Sequence, residues 1–249
     1  MKRISLLILL ITSINFSNGQ VTGAAPSGEA GLFGSAQGGT PMLNLVMMDI
    51  RNRKNTQSQY IGEVVGSPYL TENFIKSKLF YDEELMGDFY MRYNALNSEI
   101  EIKESNLKEE EPKRLLADKR LTVRYQNKVL RFTTYITKKD ETKNGYLSML
   151  VSGDKYKLYH RLAVKYSEGK AAANSMVNPI PSRFAHFVEY YYQKEGVDRI
   201  DQLSQKKGKF LKQLDKDIRE NVKLFLSENK LDLGKEQDLV KAFEYINTL

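Results

Sequence analysis

The chain has no cysteine and no tryptophan, and its 249 residues include only two histidines and six prolines. Without cysteine there is no disulfide staple, no thiol nucleophile, no thiolate metal site and no thiol for lipoprotein acylation. A metal site would need His160 and His186 side by side with a third ligand such as Glu189. Each histidine instead alternates with apolar residues, the pattern of a structural strand residue, so no metal ligand is assigned. The Gly-x-Ser-x-Gly elbow, the Gly-x-Gly-x-x-Gly fingerprint and the phosphate-binding Gly-x-x-x-x-Gly-Lys-Ser/Thr loop are also missing. No catalytic residue and no cofactor follow from this sequence. The three glutamates Glu109, Glu110 and Glu111 are consecutive and cannot converge on one cation without sharp turns, so the segment reads as a solvated loop.

Long hydrophobic runs are scarce too. The one at the start, Ile4 to Ile14, follows Lys2-Arg3 and precedes the small residues Ser17-Asn18-Gly19. It falls short of the roughly 20 residues that span a bilayer, so residues 1–19 read as a signal peptide with cleavage near Gly19. The mature chain is expected to be soluble, without a transmembrane span, in the periplasm, on the outer-membrane surface or outside the cell. Residues 20–42, rich in Gly and Ala, read as a disordered leader. Cleavage removes Lys2 and Arg3, so the net charge falls from +7 to +5. That excess favours anionic lipid or glycan surfaces, whereas export and the lack of an aromatic-basic motif exclude nucleic acid.

What the chain has in quantity is 15 tyrosines, 11 phenylalanines and a 41% hydrophobic share, enough for a sheet-based core. The clearest element is a hairpin from Gly145 to Tyr166, turning at Ser152-Gly153-Asp154-Lys155, where Gly153 is expected to take a positive φ. Its second strand alternates: Tyr156, Leu158, His160, Leu162 and Val164 face a core, and Lys157, Tyr159, Arg161, Ala163 and Lys165 face water. Short strands are predicted at 60–65, 74–81, 88–94, 99–103, 121–125 and 129–137, with a last one over 183–192. In the strand at 99–103 the carboxylates of Glu99 and Glu101 are expected outside. After Gly196 the period changes to that of a helix, over about 206–228, stopped by a left-handed Asn229 and followed by a second carrying Leu239, Val240, Phe243 and Ile246. The fold class expected is α+β: an antiparallel β-meander over 43–198, as a curved sheet or partial barrel, with a C-terminal helix pair over 199–249 packed on it in the same domain.

Tyrosines are the remaining candidates for function, since a ring joins apolar area to a hydrogen-bonding tip. Tyr156, Tyr159, Tyr190 and Tyr192 are the ligand-binding candidates, together with Arg92, which could equally bridge to Glu99 or Glu101 across a strand pair while Asn94 turns the chain.

Several motifs occur in order: Gly66-Ser67-Pro68-Tyr69-Leu70 with Phe74, Arg92-Tyr93-Asn94 leading to Glu99-Ile100-Glu101, Gly145-Tyr146 with Leu150 and Gly153, Leu158-Tyr159, Asp238-Leu239 and Tyr245-Ile246-Asn247. Taken together over most of residues 60–249, they make the chain resemble a widespread set of uncharacterised exported proteins of Bacteroidota-type bacteria. The resemblance implies an envelope location and carries no activity to transfer. The expected function is a non-enzymatic envelope module that binds another envelope protein or a surface glycan or lipid through its sheet. The alternative is a carrier or sensor of a small apolar or glycan ligand, and a hydrolase stands third.

Overall fold

A computed structural model describes residues 47–48, 64–174 and 176–249, all within one compact unit, Ala36–Leu249. The signal peptide and the leader read over 1–42 lie outside the described residues, as do residues 60–63 of the first predicted strand.

Among the described residues, twelve strands form one sheet: β1 (Met47–Met48), β2 (Val64–Val65), β3 (Ile75–Tyr81), β4 (Glu84–Asn94), β5 (Glu99–Lys103), β6 (Lys113–Leu115), β7 (Leu121–Tyr125), β8 (Lys128–Ile136), β9 (Thr142–Ser152), β10 (Tyr156–Ser167), β11 (Ser182–Lys194) and β12 (Ile200–Gln202). The spatial order runs β1-β6-β5-β4-β3-β7-β8 and continues β12-β11-β10-β9. Strand β9 also pairs with β8 from Leu130↔Ser148 to Ile136↔Thr142, so β8, β12, β11, β10 and β9 run in a closed circuit. Most neighbours are antiparallel, but β2 joins β11 and β12 joins β8 in parallel. The sheet is therefore mixed, not purely antiparallel, and β12 carries it past the strand predicted to be last. Two residues between β3 and β4, Asp82 and Glu83, take positive φ, which matches the twist of a tight hairpin.

Three helices follow: α1 (Lys207–Gln213), α2 (Arg219–Glu228) and α3 (Glu236–Thr248). The single helix predicted over 206–228 is broken because Leu214 turns extended and is buried, while Asp215 leaves the helical path to bind the sheet. The Asp215 carboxylate accepts from the Tyr156 hydroxyl at 2.5 Å and from Lys194 Nζ at 2.6 Å, and the Arg219 guanidinium donates to the freed carbonyls of Lys212 and Leu214. The predicted left-handed residue is Lys230 rather than Asn229, which has φ −89° and donates its amide to the Phe225 carbonyl. Apolar residues of the helices, among them Phe210, Val222, Leu239 and Phe243, pack on Tyr156, Leu158, Tyr190 and Tyr192. The first part of the inward row, Tyr156 and Leu158 with His160 bonded to Glu236, is thus covered by the terminal helices, whereas Leu162 and Val164 lie outside that cluster. Among the described residues no helix is long and apolar enough to cross a membrane.

Asn247 ties the hairpin turn to α3. Its Oδ1 accepts from the amides of Lys155 and Tyr156 at 3.1 and 2.8 Å, and its Nδ2 donates to the carbonyls of Tyr156 and Phe243 at 2.9 and 2.8 Å. Gly153 serves this contact: it is not among the residues of positive φ, and a Cβ on it would lie 2.1 Å from the Asn247 amide. Gly153→Ala is expected to cost about 1–3 kcal/mol by displacing that amide and stranding half-buried backbone groups. Combined with Asn247→Ala the two losses are expected to be far from additive, which chemical denaturation of the four proteins reads directly.

Candidate functional site

Strand alternation gives β10 and β11 two faces, and the one away from the helices is only partly solvated: Lys165 and Phe187 are exposed, whereas Tyr159 is half-buried and Tyr191 buried. Tyr135 of β8, Leu147 of β9, Tyr159 of β10, Tyr191 of β11 and Ile200 of β12 pack together, one residue from each strand of the circuit. The face expected to be solvated is therefore the inside of that circuit. The register fixes who meets whom: Arg131 lies opposite Leu147, Tyr159 opposite both Met149 and Tyr191, and Gln193 opposite both Lys157 and Ile200. A bulge between Leu158 and Tyr159 shifts the β9 register past Leu150, and such an extra residue bends and twists a strand at a rim.

One side of this interior is closed. Tyr135 and Tyr191 meet edge to face at 4.8 Å, and Arg161 donates to Glu189 at 3.0 Å and to Ser98 of the β4–β5 turn at 2.9 Å. Tyr191 donates to the same Glu189 carboxylate at 2.8 Å. Burial, with Glu189 beside it, pushes the Tyr191 hydroxyl well above the usual phenol range. These groups fill that side, and only the Arg161 Nε among them is buried without a hydrogen-bond partner.

The rest of the interior opens as a cleft of about 700 Å³, lined by Leu147, Met149, Leu150, Phe132, Val129 and Ile200, with Thr133, Tyr159 and Gln193 among its polar groups. Its size lies within the range of pockets that enclose a small organic ligand. Among the described residues, Lys119, Arg131 and Lys157 line it against a single acid, Asp198. The Tyr159 hydroxyl donates to Gln193 Oε1 at 3.0 Å, and burial raises its pKa against the opposing effect of Arg131.

The other sequence candidates lie elsewhere. Tyr156, opposite Lys194 on the helix-covered face, gives its hydroxyl to Asp215, and burial followed by that hydrogen bond raises its pKa. Tyr190 donates to Glu236 at 3.4 Å and is pushed up to about 12, by burial first and by Glu236 second. Tyr192 stacks on Tyr156 at 6.4 Å and borders a second, more polar groove of about 810 Å³ between the end of β8, β12 and α1. Of the four tyrosines only Tyr159 lines the cleft.

Arg92 stands opposite Glu101, as the cross-strand reading requires. Its Nε and Nη2 donate to Glu101 Oε2 at 3.1 and 2.5 Å, its Nη1 donates to the Glu72 carbonyl, and its guanidinium lies 3.7 Å from the Tyr69 ring centre and 4.6 Å from that of Phe74. Glu101 is buried, not outside as the alternation suggested, because Arg92 of β4 and the Tyr69 hydroxyl of the segment preceding β3 cover it. Asn94 does turn the chain, its Oδ1 accepting from the amides of Leu96 and Asn97.

The two histidines are not neighbours. His186 bonds the Ser67 carbonyl at 2.8 Å, whereas His160 places Nδ1 2.8 Å from Glu236 Oε2 and Nε2 3.4 Å from Lys128 Nζ. Among the described residues no group of three or more acidic or histidine side chains is arranged for a metal ion. His160 has a side chain only 2% exposed. Burial lowers its pKa, with the Glu236 hydrogen bond opposing and Lys128 reinforcing the shift. A folded-state pKa below the unfolded value of about 6.5 means that acid protonates the unfolded chain first, so stability is lost as pH falls through that value. The thermal midpoint is expected to drop between about pH 7 and pH 5, and His160→Gln is expected to flatten that slope; a slope unchanged in the variant would contradict it.

Sequence reasoning missed Arg131, Met149 and Gln193 because each looks like an ordinary outward strand residue. The signal that could have found them is β10 itself, whose second row carries Tyr159 and Arg161 between lysines. No protein-family model matches the chain, and neither the curated proteins nor the solved structures give a match.

Proposed function

We propose that the protein is a non-enzymatic binding protein of the cell envelope, in which five strands act as a partial barrel that carries a small ligand in its interior cleft. The observation that carries this reading is a concave space of about 700 Å³ with a largely apolar lining and polar groups at defined register positions. Export is supported by Lys2-Arg3 and the apolar run Ile4 to Ile14. Both histidines and the candidate Tyr156, Tyr190 and Arg92 are taken up by structural partners, so no nucleophile-base pair is assembled around them. Binding through an exposed sheet face is the weaker reading: Phe187 and Val188 are exposed but adjacent in β11, and so point to opposite faces rather than forming one patch.

The test is a titration with a neutral fluorescent apolar probe, N-phenyl-1-naphthylamine. Saturable binding is expected, and Met149→Glu, which places a charge in the lining at a residue 37% exposed, is expected to weaken it by about tenfold or more. Leu224→Ser, on the outer side of α2, is expected to change nothing. Equal loss in both variants, or no saturable binding, would overturn the proposal.

A further inference from the structure

We infer that the cleft selects a single-chain amphiphile with an anionic head, a carboxylate or phosphate monoester on an aliphatic tail; this deepens the carrier reading above and rests on it. The lining names the tail. Leu147, Met149, Leu150, Val129 and Ile200 are aliphatic, and of the two aromatic residues in the lining Phe132 packs edge to face with Tyr146 while Tyr159 spends its hydroxyl on Gln193. A sugar ring asks instead for an open aromatic face and several free hydrogen-bonding groups.

Charge names the head. Five of the described arginines are paired with carboxylates, Arg92 with Glu101, Arg114 with Glu99, Arg120 with Asp118, Arg161 with Glu189, and Arg199 with Asp140 and Asp201, while Arg219 donates to backbone carbonyls and Arg124 lies over the Phe80 ring. Arg131, Lys119 and Lys157 line the cleft with no carboxylate partner among the described residues, where Asp198 is the one acid of the lining. Register places Arg131 directly across from Leu147, at the start of the apolar lining, and Lys157 across from Ser152 and Gln193. Cations beside an apolar, partly desolvated surface attract an anion more strongly than cations in open water. The guanidinium fork suits the paired oxygens of carboxylate and phosphate. Tail and head requirements are therefore met side by side, with an excess of positive charge where the head would sit.

The experiment compares four amphiphiles of one chain length below their micelle concentrations: dodecanoate, dodecyl phosphate, dodecanol and dodecyltrimethylammonium. Each displaces the fluorescent probe from the native protein and from the double variant Arg131→Gln, Lys157→Gln, whose fold is checked by circular dichroism; Arg131→Lys serves as a milder second variant. The anions are expected to bind about tenfold tighter than dodecanol. That preference should shrink with added salt and disappear in the double variant, while dodecanol affinity stays the same. Arg131→Lys should keep part of it. The ratio of the two anions identifies the head. Dodecanol or the ammonium binding as tightly as the anions would overturn the inference and leave the carrier reading standing, whereas no displacement by any of the four would overturn both.

Discussion

Phe243→Ala is expected to lower the unfolding free energy by about 3–5 kcal/mol, the range for a large aromatic truncated in a well-packed core. Phe243 is 0% exposed and sits where α1, α3 and β10 meet. Its ring meets those of Phe210 and Tyr156 edge to face at 6.1 and 6.4 Å. The helices are 7, 10 and 13 residues long, and segments that short are marginal alone in water. They persist because an apolar face is buried on the hairpin, so the cavity left by alanine weakens several elements at once. At about 2–4 °C per kcal/mol for a domain of this size, the midpoint should fall by roughly 10 °C. Phe225→Ala is the contrast: Phe225 stacks on Tyr245 at 3.9 Å at the half-exposed edge of the same helices, and a loss of only about 1 kcal/mol is expected. Urea unfolding with an unchanged slope reads both, and similar losses at the two sites would contradict the packing described.

Glu101→Ala is expected to be nearly as severe, about 3–5 kcal/mol. Glu101 has a side chain 3% exposed and Arg92 one that is 18% exposed. Removing the carboxylate leaves the guanidinium held between Tyr69 and Phe74, without its counter-ion, and takes the acceptor from the Tyr69 hydroxyl. Glu101→Gln keeps an acceptor there and should cost less, about 1–3 kcal/mol. The double variant Arg92→Met, Glu101→Leu should recover most of the loss, because buried ion pairs exchange well for apolar groups of similar size. A double variant as unstable as Glu101→Ala would show that the segment before β3 depends on the charges themselves.

Much of the architecture is legible in the sequence, for physical reasons that can be named. The strand at 99–103 and that at 121–125 coincide with β5 and β7 to the residue, because alternation and turn residues bound them on both sides. The row Tyr156, Leu158, His160 and the stripe Leu239, Phe243, Ile246 announce faces that need covering, and they cover each other. Other features depend on contacts distant in the chain. Asp215 breaks the helix only because Tyr156 and Lys194 wait on the sheet. Glu101 turns from a solvated acid into a buried one only because Arg92 pairs with it. The cleft escapes sequence reading for the same reason: Arg131 and Met149 become neighbours of Tyr159 only when β8 pairs with β9, and β9 with β10. A side chain pointing into a strand circuit has the same alternation as one pointing into water.

The most direct test of a ligand site inside the circuit follows the methionine methyl resonances during titration with dodecanoate. Met149 lines the cleft, while Met91 is fully buried in β4, away from it. The account predicts a saturable shift of the Met149 methyl, identified by its absence in Met149→Leu, with the Met91 methyl unmoved. A Met149 resonance that stays in place while the ligand binds would contradict it.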